Sequence, residues 1–174
     1  MRACPLPSAV YPDGVPATDP IVLAIDLAVS PETAYEAFTR RFGEWWPVAT
    51  HSLSRGAMTR CRLESRPGGA VDEFAPDGAR HVWGEVLEVD PGRRIRFSWH
   101  PGREEDTAQW IEVVFDAAPG GSRATLTHGG WERLGEIGPL LRQEYLPGWR
   151  YVLGELFAAY VATPDQDGDM RRGR

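Results

Sequence analysis

Four histidines and two acidic strand residues are the groups in this 174-residue chain that could move a proton or hold a metal. His51 lies in Thr50-His51-Ser52, a predicted loop just after the Trp45-Trp46 pair, and reads either as a solvated loop residue or as a polar gate beside those rings. His81 begins a predicted strand on the parity of Trp83, and His100 falls between Trp99 and Pro101-Gly102, in a turn. His128 shares the parity of Ala124 and Leu126, the apolar side of its strand, so it points inward near Trp131. A hydrogen-bonded core histidine and a proton-transfer group are both open there. No two histidines have metal-site spacing on one element, so no metal is expected.

Glu85 has the parity of Trp83 and Leu87, whereas Glu112 is opposite in parity to Ile111 and Val113. The pattern therefore offers Glu85 as an inward carboxylate and Glu112 as an outward one. An inward Glu85 needs a partner, for which Arg60, Arg62 and Arg96 are candidates, and apolar walls would raise its pKa toward general-base use or ligand anchoring. The alternative is an exposed Glu85 in a surface ion pair. No nucleophile elbow, phosphate loop or dinucleotide fingerprint is present, and no cofactor is expected. All the basic side chains are arginine, which excludes a Schiff-base lysine.

The remaining signal is aromatic. Of the seven tryptophans, Trp45, Trp46, Trp83, Trp99, Trp131 and Trp149 fall near the ends of predicted elements or on an apolar helix face. A large ring at an element's edge closes a core or lines a cavity, because its body favours burial and its N–H needs an acceptor. With Phe97, Tyr145 and Val152 these rings, Glu85 and His128 are the expected ligand-binding set. The expected occupant is a small hydrophobic molecule, bound without catalysis. An enzyme of the cyclase, dehydratase or hydrolase type using the same cavity is the rival reading, and a protein-interaction module is the third.

The elements that must position these residues are legible from periodicity. Ile21, Leu23, Ile25 and Leu27 alternate with Val22, Ala24 and Asp26 as a first strand. Ser30-Pro31 starts a helix carrying Tyr35, Phe38 and Phe42 at helical spacing, which Gly43 is expected to end before a short helical turn through Trp45-Trp46. Six strands near 57–65, 70–75, 80–89, 93–99, 108–117 and 122–128 follow, separated by the turns Pro67-Gly68-Gly69, Pro76-Asp77-Gly78, Asp90-Pro91-Gly92 and Pro119-Gly120-Gly121. The last element is an amphipathic helix from about 137 to 162 with Leu141, Tyr145, Trp149, Val152, Leu156 and Tyr160 on one face. A bend is expected at Pro147-Gly148, where the glycine permits close approach of a neighbour.

Residues 1–19 read as an irregular Pro-rich arm, 20–163 as the one folded domain and 164–174 as a polar, disordered tail. The net charge of −6 gives no basic footprint, so nucleic acid is excluded as a partner. No apolar run is long enough to span a membrane, and prolines at 5, 7, 12 and 16 break any signal-peptide core. Cys4 and Cys61 form neither a metal spacing nor a disulfide framework, and a cytoplasmic location is expected.

The order of elements, together with specific stretches, resembles the START-like, Bet v allergen-like superfamily (SRPBCC). Within it the chain is similar to the family of the C-terminal domain of the activator of heat-shock-protein-90 ATPase. The matching stretches are Ser30-Pro31 with Trp45-Trp46, Trp83-Gly84-Glu85-Val86 leading to Asp90-Pro91-Gly92 and Ile95-Arg96-Phe97-Ser98-Trp99, and Gly148-Trp149 with Leu153 and Leu156. The resemblance spans Ile21 to Ala162. It implies an α+β helix-grip fold: a seven-stranded antiparallel curved sheet wrapped around a long C-terminal helix, with two short helices after strand 1. It also implies a deep cavity used elsewhere for hydrophobic ligands, and leaves a homodimer or a chaperone contact as further partners.

Overall fold

The computed structural model describes residues 18–55 and 59–163. The expected arm and tail, Cys4 included, fall almost wholly outside the described residues.

Seven antiparallel strands form one curled sheet in the order β1-β7-β6-β5-β4-β3-β2. They are β1 (Ile21–Leu27), β2 (Arg60–Leu63), β3 (Ala70–Phe74), β4 (Arg80–Asp90), β5 (Arg94–Trp99), β6 (Gln109–Ala118) and β7 (Gly121–Gly129). The register follows the alternation of the sequence: Ile95 faces Val113 and Phe97 faces Ile111, while Arg96 pairs with Glu112 on the other face. Ile95, Phe97, Ile111, Val113, Leu126 and Ala124 are all buried. Outward side chains form ion pairs, as between Arg94 and Glu112 at 2.8 Å.

Two short helices, α1 (Pro31–Thr39) and α2 (Phe42–Trp45), follow β1. Ser30 caps α1 by accepting the Thr33 N–H, and Pro31 occupies the first turn, where its missing N–H is not needed. The helix breaks at Arg40-Arg41, not at Gly43. Gly43 lies inside α2, where a side chain would collide with the Cys61 carbonyl, so its role is close approach to β2.

The C-terminal helix begins as α3 (Gly138–Tyr151), passes through a π-helical turn (Val152–Phe157) and ends as α4 (Ala158–Ala162). It fills the concave side of the sheet, completing an α+β helix-grip fold. Pro147 is accommodated inside α3, and the irregularity comes one turn later. The wider π turn places Trp149, Leu153 and Phe157, spaced by four, on the buried face. No helix among the described residues is long and apolar enough to cross a membrane.

The interior is largely aromatic. Phe38 lies 5.8 Å from Phe115, 5.5 Å from Phe157 and 5.2 Å from Trp45. Phe42 links this cluster to a second one by stacking on Trp46 at 4.9 Å and meeting Trp83 edge-on at 6.4 Å.

Candidate functional site

The second aromatic cluster leaves a cleft of about 310 Å³, open to solvent on one side. Trp83 of β4 and Trp99 of β5 form its floor, and Trp46, at the end of α2, one side. Glu144, Tyr145, Gly148 and Trp149 of α3, with Val152, form the other. His51, Ser52 and Leu53 cover it from the loop after α2, and Pro101 closes it from the turn after β5. The indoles are edge-on or tilted at 5.6 to 6.4 Å: Trp83 to Trp99, Trp46 to Trp83 and Trp99 to Trp149. Such rings offer flat apolar faces to a guest.

Hydrogen bonds hold these walls. The Trp46 Nε1–H donates to the His51 carbonyl at 2.8 Å, the Trp99 Nε1–H to the Tyr145 hydroxyl at 3.2 Å, and the Trp149 Nε1–H to His128 Nδ1 at 3.0 Å. The covering loop is pinned by Glu73, a fully buried carboxylate on β3. It accepts the backbone N–H groups of Leu53 and Ser54, both at 2.8 Å, and the Ser54 hydroxyl at 2.6 Å. Those donors replace the water that burial removed from the carboxylate. Cys61, beside it, is an inert thiol, its pKa pushed up to about 12 by burial and by the charges of Glu73 and Asp72.

His128 is a structural group behind the cleft. Its ring is fully buried, 4.2 Å from Trp131 and 5.0 Å from Tyr145. An indole N–H can only donate, so Nδ1 must be unprotonated and the proton sits on Nε2. Burial and the Arg103 charge hold its pKa down to about 3, which keeps it neutral. His51 faces the cleft mouth, with Nδ1 2.8 Å from Thr50 Oγ1, and partial burial lowers its pKa. Among the described residues no group of three His, Cys, Asp or Glu is placed to hold a metal ion.

Residues 28–162 match the family described as Activator of Hsp90 ATPase homolog 1-like protein. The chain belongs to this family. Among solved structures it is similar to protein CV1439 of Chromobacterium violaceum, with 25% identity, a TM-score of 0.58, and 83% of this chain and 99% of that one covered. It is also similar to the anthrahydroquino-gamma-pyrone synthase Txn09, with 29% identity, a TM-score of 0.54 and the same coverage of both chains. A stretch of 108 residues is 32% identical to inter-alpha-trypsin inhibitor heavy chain H4 of Sus scrofa. That stretch is 62% of this chain, which spans only 11% of the length of that curated relative.

In this chain the residues singled out from sequence separate into three groups. Trp46, Trp83, Trp99, Tyr145, Trp149 and Val152 come together around the cleft. Trp45, Phe97, His128 and Trp131 are buried away from it; Trp45 donates to the Ala37 carbonyl and Trp131 to the His128 carbonyl. Glu85 is exposed, which corrects the inward placement read from its parity with Trp83. The register of β4 slips twice, opposite Val71/Asp72 on β3 and again between Val86 and Glu88 against β5. A β-bulge adds a residue, so Trp83 and Val86 both face inward and Glu85 faces water. Of its candidate partners, Arg62 pairs instead with Asp72, opposite it on β3, and Arg96 lies over Trp110 at 4.5 Å. Of the lining residues, Ser52, Leu53 and Pro101 carried no sequence signal because loop positions have no period, and Glu144 carried none because an acidic residue falls outside the apolar stripe that marks α3.

Proposed function

We propose that this chain binds a small hydrophobic molecule in the cleft between Trp83 and Trp99 of the sheet and α3, as a binding rather than a catalytic site. The observation that carries this reading is the wall itself: four indoles and Tyr145 around about 310 Å³, three of the indoles held by hydrogen bonds within the protein. That volume lies at the small end of the range for ligand pockets, roughly 300 to 1,000 Å³. The best proton-transfer candidate, His128, is sealed behind Trp149 and neutral, which supports binding over catalysis. Titration with the neutral probe N-phenyl-1-naphthylamine should give saturable one-to-one fluorescence enhancement. Absence of saturable binding to the folded protein, together with a ligand-free mass in native mass spectrometry of protein from its own host, would reject the proposal.

The likeness to a synthase at 29% identity supports a second reading, a ring-closing or proton-transfer enzyme using the same cleft. Turnover of a bound compound into a product of different structure would establish it. The family's name supports a third, stimulation of a chaperone's ATP hydrolysis, which an unchanged rate on mixing with the cognate chaperone rejects.

A further inference from the structure

Resting on the binding reading above, we infer that the occupant is a neutral, flat, fused-ring molecule bearing a carbonyl oxygen, and that the Tyr145 hydroxyl holds that oxygen. Around this mostly indole-walled cleft, nearly every hydrogen-bond donor is already committed or covered. The indole N–H groups of Trp46 and Trp149 are committed to His51 and His128. The Ser52 hydroxyl donates to the Val48 carbonyl at 2.5 Å. The Trp83 Nε1–H has no protein partner among the described residues, but protein atoms cover it. The His51 ring, its Nδ1 2.8 Å from Thr50 Oγ1, stands at the mouth, whereas Tyr145 stands within the tryptophan wall. Its oxygen receives the Trp99 N–H at 3.2 Å, and its own proton meets no protein acceptor among the described residues.

A hydroxyl that already accepts a bond donates more strongly, because the two bonds polarise each other. The ring is fixed for the purpose, packed 5.0 Å from His128 and 5.4 Å from Trp131 on the side away from the cleft. Trp99 to Tyr145 to ligand oxygen is thus a relay fixed before the ligand arrives. Flat indole walls favour fused rings, and the volume suits two or three of them. The charge pattern excludes an anion: the lining includes Glu144 and no arginine, in a chain of net charge −6.

Three probes of one shape separate the possibilities: 9-fluorenone carries the carbonyl, fluorene lacks it, and fluorene-9-carboxylate adds a charge. Equilibrium dialysis should find fluorenone bound about three- to tenfold more tightly than fluorene, the span expected for one net hydrogen bond, and the carboxylate weakest. Tyr145→Phe alone exposes the Trp99 N–H as a substitute donor, so the decisive variant pairs it with Trp99→Phe. In that double variant the fluorenone-to-fluorene ratio should fall to about one, with retained fluorene binding reporting an intact cleft. Equal binding of fluorenone and fluorene to the native protein, a ratio preserved in the double variant, or the carboxylate binding best would overturn the inference while leaving the cleft a binding site. If none of the three binds the native protein while N-phenyl-1-naphthylamine does, the inference falls and the binding reading stands; if that probe also fails and the native mass is ligand-free, both fall.

Discussion

Two aromatic clusters share the concave side of this sheet, and only one of them leaves space. Around Phe38, the rings of Phe115, Phe157 and Trp45 interlock, and all are buried. Around Trp46, the rings of Trp83, Trp99 and Trp149 are equally close, yet they border a cleft. The first cluster is mostly phenylalanine, whose rings carry no polar atom and settle wherever dispersion contacts are best. In the second, three indoles are each tied by N–H to a fixed acceptor, on the loop, on α3 and on β7. A tethered ring cannot swing into the gap without breaking its bond, and a buried N–H left without a partner costs about 1–3 kcal/mol. Gly148 adds to this by presenting no side chain opposite His51. Three tethered indoles border the open half against one, Trp45 on the Ala37 carbonyl, in the filled half, and those three tethers resist closure of the cleft.

The largest effect should come from truncating the closed cluster. Phe38→Ala removes a fully buried ring from contact with Phe42, Trp45, Phe115 and Phe157, and should lower unfolding free energy by about 3–5 kcal/mol in urea denaturation. A loss below about 1 kcal/mol would mean that this half also contains slack, and the contrast between the clusters would vanish.

A smaller effect tests the tether through protons. The pKa of His128 is held at about 3 in the fold against an ordinary value of 6.5, so the unfolded chain takes up a proton that the folded one refuses. Its stabilising contribution is complete above pH 6.5 and declines as pH falls toward 3, by about 1.4 kcal/mol per pH unit. Between pH 7 and pH 5 the native protein should lose about 2 kcal/mol from this residue. His128→Gln, which still offers Trp149 an acceptor, should flatten that part of the slope in urea unfolding at the two pH values. An unchanged slope would show that His128 is not the neutral anchor of the open cluster.

Periodicity exposed the architecture and the rings but not how they are divided. Seven strands and their turns follow from alternation and from the Pro-Gly and Asp-Gly punctuation, because those patterns are set by local sterics. Glu85 was misplaced because a bulge is fixed by pairing with two neighbouring strands, and a parity count along one strand does not register it. Phe157 was overlooked for a related reason: the π turn shifts the buried face from the 3.6-residue period that picks out Leu156. His51, Ser52 and Leu53 gained their place from Glu73, about twenty residues away in sequence, whose bonds to the loop form only once β3 has joined the sheet. Trp45 and Trp46 are neighbours of the same residue type, and only the fold assigns one to the filled cluster and the other to the cleft.

The gentlest change should have the sharpest functional consequence. A Cβ placed on Gly148 would lie 3.9 Å from His51 Nε2, an ordinary contact, so the backbone tolerates a side chain there. Gly148→Leu would project that side chain into the cleft while raising helix propensity by somewhat under 1 kcal/mol. Stability should therefore stay within about 1 kcal/mol of the native protein, whereas saturable N-phenyl-1-naphthylamine binding should disappear. Because the substitution leaves every tether of the tryptophan cluster in place, lost binding with retained stability would isolate the empty volume as the functional feature. Undiminished binding in the variant would locate the probe elsewhere, and the open cluster would then be an imperfectly filled core like its neighbour.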